Sequence, residues 1–557
     1  MTLTKKLLVT ASSLVLMAQS VHAAPAGPQT APAAGSILAP PPPSPELPRR
    51  EVPRLRENLG LPNGADKVLN FRVVRVRIAG ATVVDEALIA KQFAPLIDKP
   101  ITAVDLRAAL DRVNKLYEDA GYALGRAFVP PQVMQGGTLI VRVVEGHIGK
   151  ITIDTQSEAA RATVERFAKR ILAEQPLRTA TMERYLLLIS DTPGVKISGQ
   201  LTGMDIYTGR ATMALKAEHD VYSLDTAVDN RANLDSAPFQ TYLTGSVNDL
   251  LGDGEQLSLT ALATPEIQTQ QYFRLAYSTF IGSDGMRASV GASFAKSKEG
   301  DLPPGFDFSS RSRSVDTALS YPFIRSISQN LIGTIGAYAV QSTNDLNGFR
   351  YSEDAIRAAY ADGSYTARLS DKMTFGANGR LTQGLGILGA GPEDTLHSRL
   401  GTRPWFFKAR GTASATYALT EKLGLSASAE GQYSPHSLYA AEEIAFGGAH
   451  FGRGFDTSEV SGDSGYGTSV QMQYRLDTEL AGGWTLVPYT FLDQSRVINK
   501  SVDGQGNDRL VSTGLGVTVS NRKWLVVGVE MDKPLNRSVA SRGDRDPRLY
   551  LSLELRL

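Results

Sequence analysis

The chain has 557 residues, room for several domains, with 58 Lys+Arg against 57 Asp+Glu for a formal net charge of +1, and no cysteine. Near-neutrality gives no support to nucleic-acid binding by bulk charge, and the missing thiols exclude disulfide scaffolds, thiol catalysis and thiolate metal sites. No run of 18 or more apolar residues follows the first 25 positions, which excludes a polytopic helical membrane protein and leaves a soluble multidomain protein or a transmembrane β-barrel, whose strands scarcely raise mean hydropathy.

Lys5 and Lys6 precede a short apolar stretch, Leu7 to Met17, and a small-residue cleavage site at Val21-His22-Ala23. Residues 1–23 therefore read as a secretory signal peptide, too short to span as a helix. Export without cysteine points to a bacterial envelope protein that needs no oxidative stapling. Residues 24–68 form a linker: 24–53 hold ten prolines, including Pro40 to Pro43, a composition that favours extended polyproline geometry over helix or core. The basic stretch from Arg49-Arg50 to Arg56 reads as solvated.

Residues 69–147 predict a β-α-α-β-β unit. Val74, Val76 and Ile78 alternate with Arg75 and Arg77 as in a half-buried strand, a short helix is expected around Asp85 to Phe93, and Thr102 with Asp105 three residues on reads as a helix cap. Leu106, Leu110, Val113 and Tyr117 share one helical face, Gly121 ends it, and two strands follow near Leu124–Val129 and Leu139–Val144. The order repeats over residues 148–220, with Ile151 and Ile153 in a strand, helices lined by Val164, Phe167, Ala168, Ile171 and Leu172 and by Met182, Tyr185, Leu186 and Ile189, and strands near Val195–Leu201 and Ala211–Ala217.

Residues 221–557 read as about sixteen segments of alternating apolar and polar or small residues, split by turn residues. Leu525, Val527, Val529 and Met531 alternate with Val526, Gly528, Glu530 and Asp532, and Leu549, Leu551, Leu553, Leu555 and Leu557 with Tyr550, Ser552, Glu554 and Arg556. The number of repeats favours a closed barrel, which leaves no unpaired edge in hydrocarbon.

Three stretches carry a family resemblance. Gly121-Tyr122, Arg126-Ala127, Pro130-Pro131-Gln132 and Val143-Val144-Glu145-Gly146 resemble the first periplasmic POTRA domain of two-partner secretion (TpsB-type, haemolysin/filamentous-haemagglutinin secretion and activation) transporters. Val228-Asp229-Asn230 and Leu251 to Leu257 look like the opening of such a barrel, and the loop 435–465, with Glu442, Phe446-Gly447-Gly448, Arg453-Gly454-Phe455 and Gly462 to Gly465, is similar to the family's long sixth extracellular loop. The resemblance implies that this loop folds back into the lumen and that Arg453 pairs with an aspartate of the inner wall, here Asp493 within Phe491-Leu492-Asp493-Gln494-Ser495. Local alternation agrees: Val487, Tyr489, Phe491, Asp493 and Ser495 share a face, and a carboxylate cannot cheaply face lipid. Gly454 is expected to let the loop tip turn tightly. Ser495 departs from the family's Gly, Leu557 from the usual terminal Phe, and the prolines of 24–53 disfavour the N-terminal plug helix of well-studied relatives.

No enzyme signature occurs (no G-x-S-x-G, H-E-x-x-H or phosphate-binding P-loop), and the six histidines include no i,i+4 pair. His436 and His450 read as solvated loop residues, Glu442/Glu443 as structural acids and Asp544/Asp546 as a charged terminal hairpin. The expected architecture is thus mixed: a signal peptide, a Pro-rich segment, two POTRA domains and a 16-stranded antiparallel transmembrane barrel, with the barrel in the bacterial outer membrane and the POTRA domains in the periplasm. The resemblance implies secretion of an unfolded TpsA exoprotein without nucleotide hydrolysis, held in check by Arg453 and Asp493 with Gly454, Phe455, Phe491 and Ser495. Recognition would fall to the first POTRA domain around Arg126, Pro130, Pro131, Gln132 and Glu145. The alternative is an outer-membrane insertase of the same superfamily. Expected partners are the exoprotein, outer-membrane lipid and, during biogenesis, the barrel assembly machinery and periplasmic chaperones; no enzyme activity, cofactor, metal or nucleic acid is implied.

Overall fold

A computed structural model describes residues 72–556 apart from 233–238, 266–269, 299–306, 392–395, 478–483, 501–507 and 522–523; the expected signal peptide, the expected Pro-rich linker and Leu557 lie outside the described residues. The first unit runs β1 (Arg75–Ala79), α1 (Glu86–Lys91), α2 (Ala103–Asp119), β2 (Gly125–Phe128) and β3 (Thr138–Glu145). Asp85 accepts the Ala87 N–H at the start of α1, and Thr102 and Asp105 form a reciprocal capping box on α2. β3 is central, parallel to β1 and antiparallel to β2. Ala109, Val113 and Tyr117 of α2 pack on Ile78, Leu139, Val141 and Val143. Val74, expected on the buried face, is exposed instead: Val73 points inward in a bridge to Ile97, and the backbone bends at Val74 before pairing begins at Arg75.

The second unit follows at once: β4 (His147–Asp154), α3 (Glu158–Ala173), α4 (Thr179–Ser190), β5 (Val195–Met204) and β6 (Arg210–His219), with sheet order β4-β6-β5. Met182, Leu186 and Ile189 of α4 line this unit's core, yet Leu187 and Leu188 are also buried. A helix apolar on two faces needs two partners, and the second is the barrel. Leu188 lies against Gly285, where an added Cβ would come within 2.6 Å of its Cδ2, and Arg325 grips Asp191 with two bonds of 2.6 and 2.7 Å. On α3, Phe167 meets Phe280 edge-on at 5.3 Å, Thr163 donates to Asp249, and Arg166 pairs with Asp253. The Leu251 to Leu257 stretch supplies part of this docking turn.

The barrel comprises β7 (Tyr222–Asp229), β8 (Gln240–Asn248), β9 (Gln256–Ala263), β10 (Gln270–Ile281), β11 (Met286–Lys298), β12 (Phe308–Arg325), β13 (Gln329–Leu346), β14 (Phe349–Ser370), β15 (Met373–Gly384), β16 (Phe407–Ala418) and β17 (Leu423–Tyr433). A long loop then carries the short hairpin β18 (Ile444–Phe446) and β19 (Val460–Gly462). The wall resumes with β20 (Ser464–Tyr474) and its continuation β21 (Leu476–Asp477), then β22 (Thr485–Ile498), β23 (Arg509–Ser520), β24 (Leu525–Pro534) and β25 (Arg548–Arg556). Because β20 and β21 both pair with β22, they count as one wall strand, and sixteen antiparallel strands close through β25 and β7. The period-2 faces separate as hydrocarbon requires: on β24, Val529 and Met531 face out while Glu530 and Asp532 are buried inside.

Within the first unit, Glu145 holds the β1–α1 connection. Its carboxylate accepts the N–H groups of Thr82 (2.7 Å) and Val83 (2.9 Å) and the hydroxyls of Thr82 and Tyr117. Burial pushes its pKa up, but these donors outweigh burial and hold it below the ordinary value. The stabilisation is therefore present above the usual carboxylate range and is lost as pH falls through the lowered folded pKa. Glu145→Gln is expected to lower the stability of this unit by about 1 kcal/mol at neutral pH, partial exposure reducing the figure, with no difference in acid; hydrogen exchange of α2 amides measures it.

Candidate functional site

The loop between β17 and β20 enters the barrel and is gripped at its base and at its tip. At the base, Glu442 is buried between Lys408 Nζ (2.7 Å) and the Tyr338 hydroxyl (2.8 Å). Asp463, with no solvent exposure, accepts Arg399 Nη1 (2.5 Å) and the N–H groups of Leu438 and Lys500 (2.7 Å each). Glu443 pairs with the same Arg399 at 2.8 Å and accepts the Ser461 hydroxyl. Above the base, Ile444, Phe446, Phe455 and Val460 of the loop pack on Val497 and Leu510 of the wall. This small apolar core seats a hairpin that could not bury itself alone.

The tip carries Arg453. Its Nε and Nη2 donate to the two carboxylate oxygens of Asp493 at 3.0 and 3.1 Å, and its backbone N–H adds a third bond at 3.2 Å. Nη1 reaches Glu530 (3.3 Å) and Gln471 (3.1 Å), and Nη2 reaches Ser469. The guanidinium stacks on Phe491 with Cζ 3.3 Å from the ring centroid. Register explains how Phe491 can lie flat: it pairs with Gly514 of β23, where an added Cβ would sit 2.6 Å from the ring. A planar fork over an aromatic face and against a carboxylate is a geometry arginine fills and lysine does not. Asp493 has no solvent exposure, and removing one partner from such a buried pair costs about 3–5 kcal/mol.

This architecture, a sixteen-strand barrel with two β-α-α-β-β units and an inward loop, has known counterparts. The model of the family described as haemolysin secretion/activation protein ShlB/FhaC/HecB matches residues 214–519, more than half of the chain, and that of the ShlB-type POTRA domain matches 71–146. The chain belongs to the haemolysin secretion/activation protein family. It is 23% identical over 500 residues, 85% of each chain, to the heme/hemopexin transporter protein HuxB of Haemophilus influenzae (strain 86-028NP). It is 23% identical over 501 residues, 88% of each chain, to the outer membrane transporter CdiB of Dickeya dadantii (strain 3937). The structure of CdiB from Escherichia coli shares the fold, with a TM-score of 0.69 at 18% identity over 91% of this chain and 94% of that one. The protein is thus an outer-membrane transporter with periplasmic POTRA domains.

In this transporter Arg453 and Asp493 are in contact, and Phe455 and Phe491 are both buried at the seat. Gly454 sits in the expected tight turn, closed by the Phe455 N–H donating to the Gly452 carbonyl at 2.9 Å, but its own part in it is steric. Its φ is not positive; an added Cβ would instead fall 2.8 Å from Pro534 N and 2.9 Å from the Lys533 carbonyl carbon, so it permits close approach to β24. Ser495 is fully buried, and its hydroxyl has no hydrogen-bond partner among the described residues. His436 is not a solvated loop residue: its Nδ1 accepts the Phe407 N–H at 3.1 Å and its ring meets Trp405 edge-on. His450 is exposed to the lumen.

The POTRA motif side chains are engaged within their own domain. Arg126 donates to the Ala123 and Gly125 carbonyls. Pro130 and Pro131 follow the end of β2, and beyond them the Gln132 amide bonds both the N–H and C=O of Ile140 at 2.8 Å, standing in for the missing strand. Glu145 is the brace already described. These residues thus shape the sheet's edge.

Arg399, Lys408 and Tyr338 at the loop base and Arg231, Glu530 and Asp532 at its tip were not singled out by sequence. Glu530 and Asp532 carried a usable signal, since they alternate with Val529 and Met531 and must face inward if those face lipid. Arg399 lies in a loop without periodicity and carried none. Burial pushes the Glu443 carboxyl up to about 7, outweighing Arg399, which it shares with Asp463. A raised folded pKa means that its stabilisation is complete below the ordinary carboxylate range and lost as pH rises through about 7. Protease protection of the loop is expected to fall as pH rises from about 5 to about 8, and Glu443→Gln to flatten the profile; limited proteolysis of the membrane-embedded protein across that range checks it.

Proposed function

We propose that this transporter captures an unfolded exoprotein in the periplasm and passes it through its own barrel, with loop 435–465 as the gate and the Arg453–Asp493 pair as the hold. The observation that carries this reading is that a buried two-bond ion pair keeps a loop tip inside the lumen, so passage requires its release. Recognition rests on backbone: the first POTRA sheet ends in the short strand β2, and an extended segment can add to such an edge with little side-chain readout. The motif residues Arg126, Pro130, Pro131, Gln132 and Glu145 act by shaping that edge. Folding outside the cell prevents return and supplies direction. The names of HuxB and CdiB, transporters both, support an exported partner for this chain. The barrel assembly machinery and periplasmic chaperones act during its biogenesis, and outer-membrane lipid surrounds the wall.

Arg453→Ala leaves the buried Asp493 carboxylate without its cation, a cost of about 3–5 kcal/mol, so the loop is expected to leave its seat, pore conductance to rise and secretion to fall, while heat-modifiable mobility still reports an assembled barrel. Unchanged export and conductance would remove the pair from the mechanism. The exchange Arg453→Asp with Asp493→Arg is expected to restore part of the secretion lost in either single variant. Secretion assays on the three strains measure that recovery.

A further inference from the structure

Among the described residues the closure between β25 and β7 has five register pairs, Ser552–Asp229 to Arg556–Asp225, whereas β24–β25 and β7–β8 have eight each. Beyond Asp229 the seam continues through a side chain: the Asn230 amide donates to the Leu549 carbonyl (3.0 Å) and accepts the Leu551 N–H (2.8 Å). The next residue, Arg231, turns into the lumen and touches both the wall beside the loop tip and the loop itself. Its Nη2 pairs with Glu530 and with Asp532 (3.2 Å) of β24. Its Cζ lies 3.6 Å from the ring centroid of Tyr550 on β25. Its Nη1 donates to the backbone carbonyl of Arg453 (3.3 Å), and its own carbonyl accepts the Thr457 hydroxyl (3.2 Å). On the other side of Tyr550, Arg548 of β25 pairs with Asp456 of the loop at 2.6 Å.

Two guanidiniums therefore share three carboxylates, Asp493, Glu530 and Asp532, and Glu530 bonds to both. We infer that Arg231 is a positioning residue that couples the loop's seat to the barrel seam, so that departure of the loop tip loosens the β7–β25 closure. When Arg453 leaves, Arg231 loses a carbonyl partner and the Thr457 contact, Arg548 loses Asp456, and Arg231 remains the nearest cation to Glu530 and Asp532. Ions in a low-dielectric wall reorganise rather than stay unpaired. The residue that must move is the one that orders the end of β7 and packs on β25. The shortest of these neighbouring interfaces then frays, and the wall can widen around an entering segment.

This inference rests on the gate reading, and the test separates the two. The full-length protein in lipid nanodiscs is measured by hydrogen exchange at the Leu549–Leu553 amides, with pore conductance read in parallel. Arg453→Ala is expected to speed exchange there by about ten-fold, the size of a ~1.4 kcal/mol change in local opening. In an Arg231→Gln background, already faster, adding Arg453→Ala is expected to change nothing further at the seam. Coupling is overturned if Arg453→Ala raises conductance but leaves those amides at the wild-type rate, or speeds them equally with and without Arg231. If Arg453→Ala does not raise conductance, the gate reading itself fails. Should Arg231→Gln not assemble, Tyr550→Leu, which removes only the stacking surface, takes its place with the same outcomes.

Discussion

A backbone that crosses hydrocarbon has no solvent for its N–H and C=O groups, so every strand must be paired on both sides. Closure follows, and closure of sixteen strands encloses more space than wall side chains fill. The interior of this protein is therefore wet and polar, and something must occupy or guard it. The loop 435–465 does so with an apolar patch, a base of buried acids and one arginine at its tip. Each is a local answer to the same problem: how to hold an irregular segment inside a polar cylinder without making it part of the wall. A purely hydrophobic seat would tie the loop as firmly as a core. Ion pairs flanked by water-accessible lumen can be exchanged for other partners, which suits a segment that must move.

The periplasmic units solve a different constraint. The second is fixed to the barrel turns through a helix buried on two faces and through the Arg325–Asp191 grip. The first is joined to it with no linker, since β3 ends at Glu145 and β4 begins at His147. Its recognisable motif is largely internal engineering. Two prolines stop a strand, a glutamine amide finishes the ladder that they interrupt, and a glutamate ties down the connection after β1. Such residues look functional in a sequence because their types and spacing are unusual, and their effect on a partner passes through the shape of an edge.

Two packing patterns recur on parts of the inner wall. Large flat side chains lie where the neighbouring strand has glycine, as Phe491 does over Gly514 and Tyr489 over Gly516. Arginines then lie on the aromatic faces, as Arg453 does on Phe491, Arg231 on Tyr550 and Arg380 on Tyr360. Carboxylates two residues apart on one strand, such as Glu530 and Asp532, are kept together by a cation from elsewhere. The network is therefore a property of the closed ring, and its members come from both ends of the chain.

Alternation with period two determined the strands and which of their residues face lipid, because a one-residue slip would turn every charge outward. Capping residues and 3.6-residue spacing likewise determined the two periplasmic units, and the Arg453 and Asp493 motifs stood out as text. Closure decided the rest. Arg231 and Glu530 are 299 positions apart, and no local preference records that the first strand and the last will meet. Nor could spacing tell that Gly454 is needed for approach to β24 rather than for its own backbone angle, or that His436 would accept the Phe407 N–H. Those facts depend on which surfaces come within a few ångströms, and only the folded ring brings them there.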